Sequence, residues 1–212
     1  MKAVLFGGAA IEDYSFCRPY LAEAEEIICC DGGMHHAKAL GIVPDHIVGD
    51  FDSVSLEVLE EYRQAGISIR QFPTHKDETD MQLGLQLALE LGADTIVMMG
   101  GIGDRLDHTL ANAHLLLWLR KKGVRGILVN EKNRVELVDR ELTVYGKAGD
   151  LVSLLPLSME VKGVTLEGLE YPLTDYDLAI DDEVIAVSNV MLGEEARVRI
   201  KSGYLYVMQT RD

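Results

Sequence analysis

The chain has 212 residues, 48% hydrophobic and 26% charged. This is the composition of a folded globular protein and excludes disordered, collagenous and coiled-coil classes. Its 35 acidic and 20 basic residues leave a formal charge of −15, which argues against nucleic acid or an anionic membrane as partner, since both need a basic face. An anionic substrate would therefore need help from a divalent cation.

The three cysteines, Cys17, Cys29 and Cys30, are odd in number and lack metal-ligand spacing. They read as buried thiols of a reducing, cytoplasmic protein. Met1–Gly8 is apolar, but Glu12 and Asp13 cut the run short. It is too short for a membrane span and reads as a buried first strand.

Up to about residue 132 short apolar runs alternate with helical patterns. Lys2–Phe6 predicts a strand ending at Gly7-Gly8, and Tyr14–Ala24 a helix. Glu26–Cys30 predicts a strand that runs into Asp31-Gly32-Gly33. Met34–Leu40 follows as a short helix closed by Gly41. His46–Val48 is a strand leading to Gly49-Asp50-Phe51-Asp52-Ser53, with Ser55 as cap for a helix over Leu56–Ala65 and Gly66 as its stop. Ile67–Phe72 is a further strand.

Asp80–Leu91 is apolar nearly all round and predicts a deeply buried helix. Thr95–Met99 and Gly126–Val129 are continuous apolar strands of the parallel-sheet kind. Between them Asp107–Lys122 predicts a helix capped by Asp107, with Leu110, Ala113 and Leu117 on its inner face. Strands alternating with helices imply a Rossmann-like parallel α/β domain over residues 1–132.

Residues 133–212 have a different rhythm. Val135–Val138, Leu142–Tyr145, Leu151–Leu155, Val161–Leu166, Val184–Val187, Arg197–Ile200 and Tyr204–Met208 are short β-like runs separated by turn residues. They predict an antiparallel β-sandwich.

Ligands of open parallel sheets bind at the carboxyl ends of the strands. Asp31, Asp50, Asp52, Asp77, Asp80, Asp104 and Asp107 all fall at such ends. Any single Asp has a plain reading as a cap or turn former. Seven along one edge would repel each other unless a cation intervened, and hard oxygen donors select Mg²⁺ or Ca²⁺. In an extended segment Asp50 and Asp52 would point the same way.

Gly100-Gly101-Ile102-Gly103-Asp104-Arg105 is a glycine-rich turn before a helix. Its backbone N–H groups and the Arg105 guanidinium suit phosphate oxygens. Gly32 and Gly33 offer a second close approach of backbone to ligand. His35 and His36 read as surface residues, while His108 could contact a ligand or cap its helix. Lys76 could be solvated or reach a phosphate.

Taken together, these blocks resemble the thiamine pyrophosphokinase family. Asp31-Gly32-Gly33, Pro44 to Ser53, Lys76-Asp77-Glu78-Thr79-Asp80 and Gly100 to His108 occur in the family's order. So do Val152–Pro156, Gly168–Leu173, Val187-Ser188-Asn189 and Gly193–Ala196. The resemblance implies pyrophosphoryl transfer from ATP to the hydroxyl of thiamine with release of AMP. It further implies Mg²⁺ as cofactor and a homodimer whose thiamine cleft is shared between subunits.

On that resemblance Asp50, Asp52 and Asp80 are the leading metal-binding and catalytic residues, with Asp31 and Asp77 next. Asp50 or Asp80 would accept the alcohol proton. Gly32, Gly33, Lys76, Thr79, Gly103, Arg105, Asp107 and His108 would hold the nucleotide, and Ser188 and Asn189 thiamine. Some members stack thiamine on a Trp of the second domain. The only Trp here, Trp118, lies in a helix of the first domain and reads as core, leaving Tyr204 or Tyr206 for that role.

Overall fold

Lys2–Phe6 (β1) is an apolar run with Ala3, Val4, Leu5 and Phe6 fully buried, as expected of a strand covered on both faces. A computed structural model describes residues 1–51, 56–73, 77–183 and 186–211. It divides the chain into two compact units, Met1–Glu131 and Lys132–Asp212.

In the first unit β1 is followed by Glu26–Cys30 (β2), His46–Gly49 (β3), Ser68–Gln71 (β4), Thr95–Met99 (β5) and Arg125–Val129 (β6). All pair in parallel, in the spatial order β6-β5-β1-β2-β3-β4. The helices are Arg18–Leu21 (α1), Met34–Leu40 (α2), Leu56–Gln64 (α3), Asp80–Glu90 (α4) and Leu106–Lys121 (α5). One face of the sheet buries Val4, Phe6, Cys29, Ile47, Val97 and Met99 with Met34 and Ala37 of α2 and Leu59 of α3. The other face receives α4, which packs on β1, β2 and β3, and α5, which packs on β6.

Several expectations change. Tyr14–Ala24 is not one helix: a 3-10 turn at Tyr14–Cys17 precedes the single turn of α1, where Pro19 stands in the first turn and suits a helix start rather than an interior. Asp107 does not cap α5. The N-cap is Arg105, and Asp107 lies in the first turn.

The inner face of α5 is Asn112, Leu115, Leu116 and Leu119, while Leu110 is 51% exposed. This helix is apolar on several sides, so its sequence period left the inner face open. Packing of Leu116 and Leu119 on Gly126 decides it. Trp118 is only half-buried, with the Lys122 ammonium 4.8 Å from its ring centroid.

The second unit holds two antiparallel sheets. One contains Asn189–Val190 (β12), Leu151–Pro156 (β9), Leu205–Thr210 (β14) and Asn133–Val138 (β7), adjacent in that order. The other orders Tyr176–Ala179 (β11), Glu160–Glu167 (β10), Glu195–Arg199 (β13) and Glu141–Tyr145 (β8). Val152, Leu154, Leu205 and Val207 of the first share one core with Val144, Val161, Leu166 and Val198 of the second, which makes a β-sandwich. The expected strand at Val184–Val187 lies partly outside the described residues, and Ala186 and Val187 are not in a strand. β11 and β12 have too weak an alternation to be seen in the sequence.

Gly84 in α4 is a point where close packing outweighs helix propensity. A Cβ there would stand 2.4 Å from Cys30 Sγ and 3.1 Å from Leu5 Cδ2. In an open helix Gly→Ala gains about 1 kcal/mol. Here overpacking should reverse the sign, and Gly84→Ala should lose about 1–3 kcal/mol in urea unfolding. Cys30→Ala in the same chain should recover most of that loss. A Gly84→Ala protein more stable than its parent would show that the sulfur yields freely.

Candidate active site

The strand order changes direction at β1. From there β2, β3 and β4 extend the sheet to one side, and β5 and β6 to the other. Such a switch point is where ligands of open α/β sheets bind. Here the loops leaving β1 (Gly7-Gly8-Ala9) and β5 (Gly100 to Arg105) lie against each other at the carboxyl edge.

These loops pack so closely that side chains are excluded. A Cβ on Gly100, whose φ is +60°, would lie 2.4 Å from the Gly7 carbonyl oxygen, and one on Gly33 would lie 1.9 Å from that of Phe6. Gly7 N–H donates to the Met99 carbonyl (2.7 Å) and Ala9 N–H to that of Gly100 (2.9 Å). Gly7 and Gly8 were recognised in the sequence only as a strand end. Their place at the switch point depends on strand order, which no local pattern encodes.

Asp31 follows β2, Asp50 follows β3, and Asp77 and Asp80 stand before and at the start of α4. A Cβ on Gly49 would be 3.1 Å from the Asp31 Cβ, so Asp31 lies against the end of β3. α4 crosses back over β2 and carries Asp80 with it. Burial holds the Cys30 thiol well above its ordinary pKa, and the nearby Cys29, Asp80 and Asp31 add smaller contributions in the same direction. Asp31 and Asp80 thus approach one point near the end of β2.

The expected single row of seven is revised. Asp104 and Asp107 follow β5, which is two strands from β2 across β1, or roughly 10 Å at ordinary strand spacing. The carboxylates form two groups, one on the β2–β3 side of β1 and one on the β5 side. Among the described residues no three His, Cys, Asp or Glu side chains are grouped to hold a metal by themselves. Asp52 and Lys76 lie outside the described residues.

The geometry expected of Asp50 and Asp52 also changes. Phe51 has φ +58° and is buried in the core, so the backbone is not extended and simple alternation does not apply. Asp31 (φ +43°) and Ser188 (φ +55°) are likewise left-handed. Such conformations cost about 1–3 kcal/mol each and gather at functional sites.

On the β5 side Arg105 forms a two-pronged ion pair with Asp107, Nη2 to Oδ2 at 2.7 Å and Nε to Oδ1 at 3.3 Å. Both side chains are exposed. The pair holds the Asp107 carboxyl below its ordinary pKa. His108 is exposed.

Two residues that the sequence did not single out shape this turn. Thr109 Oγ1 accepts from Gly103 N–H and donates to its carbonyl, each at 3.1 Å. The buried Asn112 amide donates to the Gly101 carbonyl at 2.8 Å. Both follow the turn at helical spacing, which was the available signal. Thr79 caps α4 in a capping box with Gln82, both bonds at 3.2 Å.

In the second unit Ser188 is exposed, and its N–H donates to Ser153 Oγ at 3.0 Å. Asn189 is buried. Its Oδ1 accepts from Tyr171 N–H at 2.9 Å and its Nδ2 donates to the Tyr171 carbonyl at 2.7 Å. Its amide thus braces an exposed Tyr171. Tyr206 is buried, and burial pushes its pKa up to about 12. Tyr204 is half-buried.

Comparison with known proteins agrees with both units. Residues 17–128 match the model of the thiamin pyrophosphokinase catalytic domain, and residues 136–205 that of the thiamin pyrophosphokinase vitamin B1 binding domain. The thiamine pyrophosphokinase of Bacillus subtilis is 27% identical over 174 residues, 81% of each chain. Its crystal structure superposes with a TM-score of 0.87, covering both chains fully at 25% identity. The thiamin pyrophosphokinase of Geobacillus thermodenitrificans gives 0.83 at 28% identity, over 100% of this chain and 98% of that one. With matches on both units, the chain belongs to the thiamine pyrophosphokinase family.

Proposed function

We propose that this enzyme carries out its family's reaction, pyrophosphorylation of thiamine by ATP, with Mg²⁺ as cofactor and at a site to which two copies of the chain contribute. The observation that carries the reading is the glycine-rich carboxyl edge at the switch point, with Asp31, Asp50 and Asp80 on the β2–β3 side of the β1 loop and the Gly100–Arg105 turn on the β5 side. In this reading residues 1–132 bind nucleotide and metal, and residues 133–212 bind thiamine and form the dimer. No helix among the described residues is long and apolar enough to cross a membrane, and we place the enzyme in the cytoplasm.

The donors on the acidic side are all hard carboxylate oxygens. Mg²⁺ commonly takes one or two carboxylates and completes its shell with water and phosphate, a donor type these residues supply. Asp50, Asp52 and Asp80 would hold it, with Asp31 and Asp77 beside them. When bound it supplies neutralisation of phosphate charge.

The chain's own groups then do the rest. Backbone N–H groups at the start of α5 and in the Gly100–Arg105 turn, apart from that of Gly103, which Thr109 holds, would meet phosphate, and Gly32, Gly33, Gly103, Lys76 and Thr79 would take part in nucleotide binding. Arg105, Asp107 and His108 hold the nucleotide. The thiamine hydroxyl oxygen attacks the β-phosphorus, and the bond from that phosphorus to the α–β bridging oxygen breaks. AMP leaves with the bond's electron pair, and the hydroxyl proton passes to Asp50 or Asp80. Little covalent work is needed beyond alignment and charge compensation. Ser188 offers its hydroxyl to thiamine, and Asn189 acts through Tyr171.

The direct test is to incubate the protein with ATP, Mg²⁺ and thiamine. AMP and thiamine diphosphate should form in equal amounts. ADP as the sole nucleotide product would refute the reaction, and full turnover in excess EDTA would refute the metal.

Asp80 is half-buried at the first position of α4. Asp80→Asn keeps its shape and should lower kcat at least about a hundredfold, since metal-linked charge stabilisation is worth several kcal/mol. Its melting temperature should stay within a few degrees. Turnover near the parental rate would remove Asp80 from the site.

For the shared cleft the expectation is a dimer by sedimentation at concentrations where turnover is full. Ser188→Ala should raise the KM for thiamine while leaving that for ATP in place. A fully active monomer would end the composite-site reading.

A further inference from the structure

His36 is not the surface residue that its sequence context suggests. It is 5% exposed, against the rings of Phe6 (centroids 5.9 Å apart) and Tyr14 (5.7 Å). Its Nε2 lies 3.0 Å from the Ala9 carbonyl oxygen and its Nδ1 2.8 Å from the Tyr14 hydroxyl. A carbonyl only accepts, so Nε2 carries the proton and Nδ1 accepts from Tyr14. Burial pushes the imidazole below its ordinary pKa, consistent with a neutral ring.

Neither ring nitrogen is left to exchange a proton with a substrate. What the ring does is hold backbone. Ala9 is clamped from two sides, its N–H on the Gly100 carbonyl and its own carbonyl on His36. The segment beyond it is held as well: Glu12 and Asp13 N–H groups donate to Glu131 Oε1 at 2.7 and 3.3 Å. Ala9 also touches the turn assigned to the nucleotide: its N–H holds the Gly100 carbonyl at 2.9 Å, and Gly103 lies so near that a Cβ there would stand 2.8 Å from the Ala9 Cβ, so a shift of Ala9 is passed to that turn.

We propose that His36 is a positioning residue for nucleotide binding: its Nε2–H, with the Tyr14 hydroxyl donating to Nδ1, fixes the Ala9 carbonyl and so the packed β1 and β5 loops that receive the ATP phosphates. The proposal rests on the assignment of ATP to these loops. It distinguishes His36 from a packing residue, because the effect is aimed at one substrate.

The test uses the full chain and titration calorimetry with Mg-ATP alone and with thiamine alone, so that no turnover is required. His36→Phe keeps a ring of similar size but loses both hydrogen bonds. It should weaken Mg-ATP binding about three- to tenfold, the value of one or two neutral hydrogen bonds, with thiamine binding within about twofold. His36→Gln, whose amide can donate to the Ala9 carbonyl, should recover most of the affinity. Tyr14→Phe removes a half-buried hydroxyl, is expected to fold, and should show a smaller loss in the same direction.

Unchanged Mg-ATP affinity in His36→Phe would overturn the proposal. So would an equal loss for both substrates accompanied by a fall in melting temperature, which is the mark of a purely structural residue. If the unaltered chain failed to bind Mg-ATP, the assignment beneath the proposal would fall, and that result differs from either of the others.

Discussion

The carbonyl of Phe6 occupies the space that a side chain at position 33 would need, and the carboxyl edge of the first unit is organised around contacts of this kind. Backbone meets backbone where the loops leaving β1, β2 and β5 converge. Glycine is required there for space, and at Gly100 for its left-handed φ as well. Three strand ends brought this close set glycine-rich backbone beside the starts of α2 and α5, the kind of place where phosphate is held. α4 and α5 then have little freedom in where they begin. Thr79 and Gln82 fix the start of α4, and Thr109 and Asn112 tie α5 back to the turn before it.

Charge follows from that steric frame. The carboxylates assemble on the β2–β3 side because Asp31 abuts Gly49 and because α4 returns across β2. On the β5 side Asp107 is already compensated by Arg105. The Arg105 guanidinium thus belongs to the β5 turn, with Asp104 and Asp107 beside it, while Asp31, Asp50 and Asp80 stand at the ends of β2 and β3 and the start of α4. The net charge of −15 accordingly works through its distribution, and the surplus outside this edge is ordinary solubility charge.

The parallel strands were legible to within a residue or two, and β1, β2 and β5, apolar runs that stop at glycine or acid, were read at their observed bounds, whereas β4 is mostly polar and exposed. The acidic strand ends followed from the same reading. Three things were hidden. Strand order is non-local, so Gly7 to Ala9 could not be recognised as lying at the switch point. The inner face of α5 was ambiguous because Leu106, Leu110 and Leu115 to Leu117 surround the axis. His36 shares its short helix with His35, which is exposed, and only the packing of Phe6 and Tyr14 distinguishes the two.

Phe51 shows how sequence and strain combine. A non-glycine residue at φ +58° costs about 1–3 kcal/mol. Burying a Phe side chain gains about 1.5–3 kcal/mol, and Phe51 is buried among Ile47, Leu59 and Ile67. The two terms are of similar size, so the bend after Asp50 is held in place by the core and not by the local chain. An aromatic anchor directly after Asp50 thereby ties the end of β3 to the core. A smaller apolar residue at the same position would leave the strain at position 51 without its compensation.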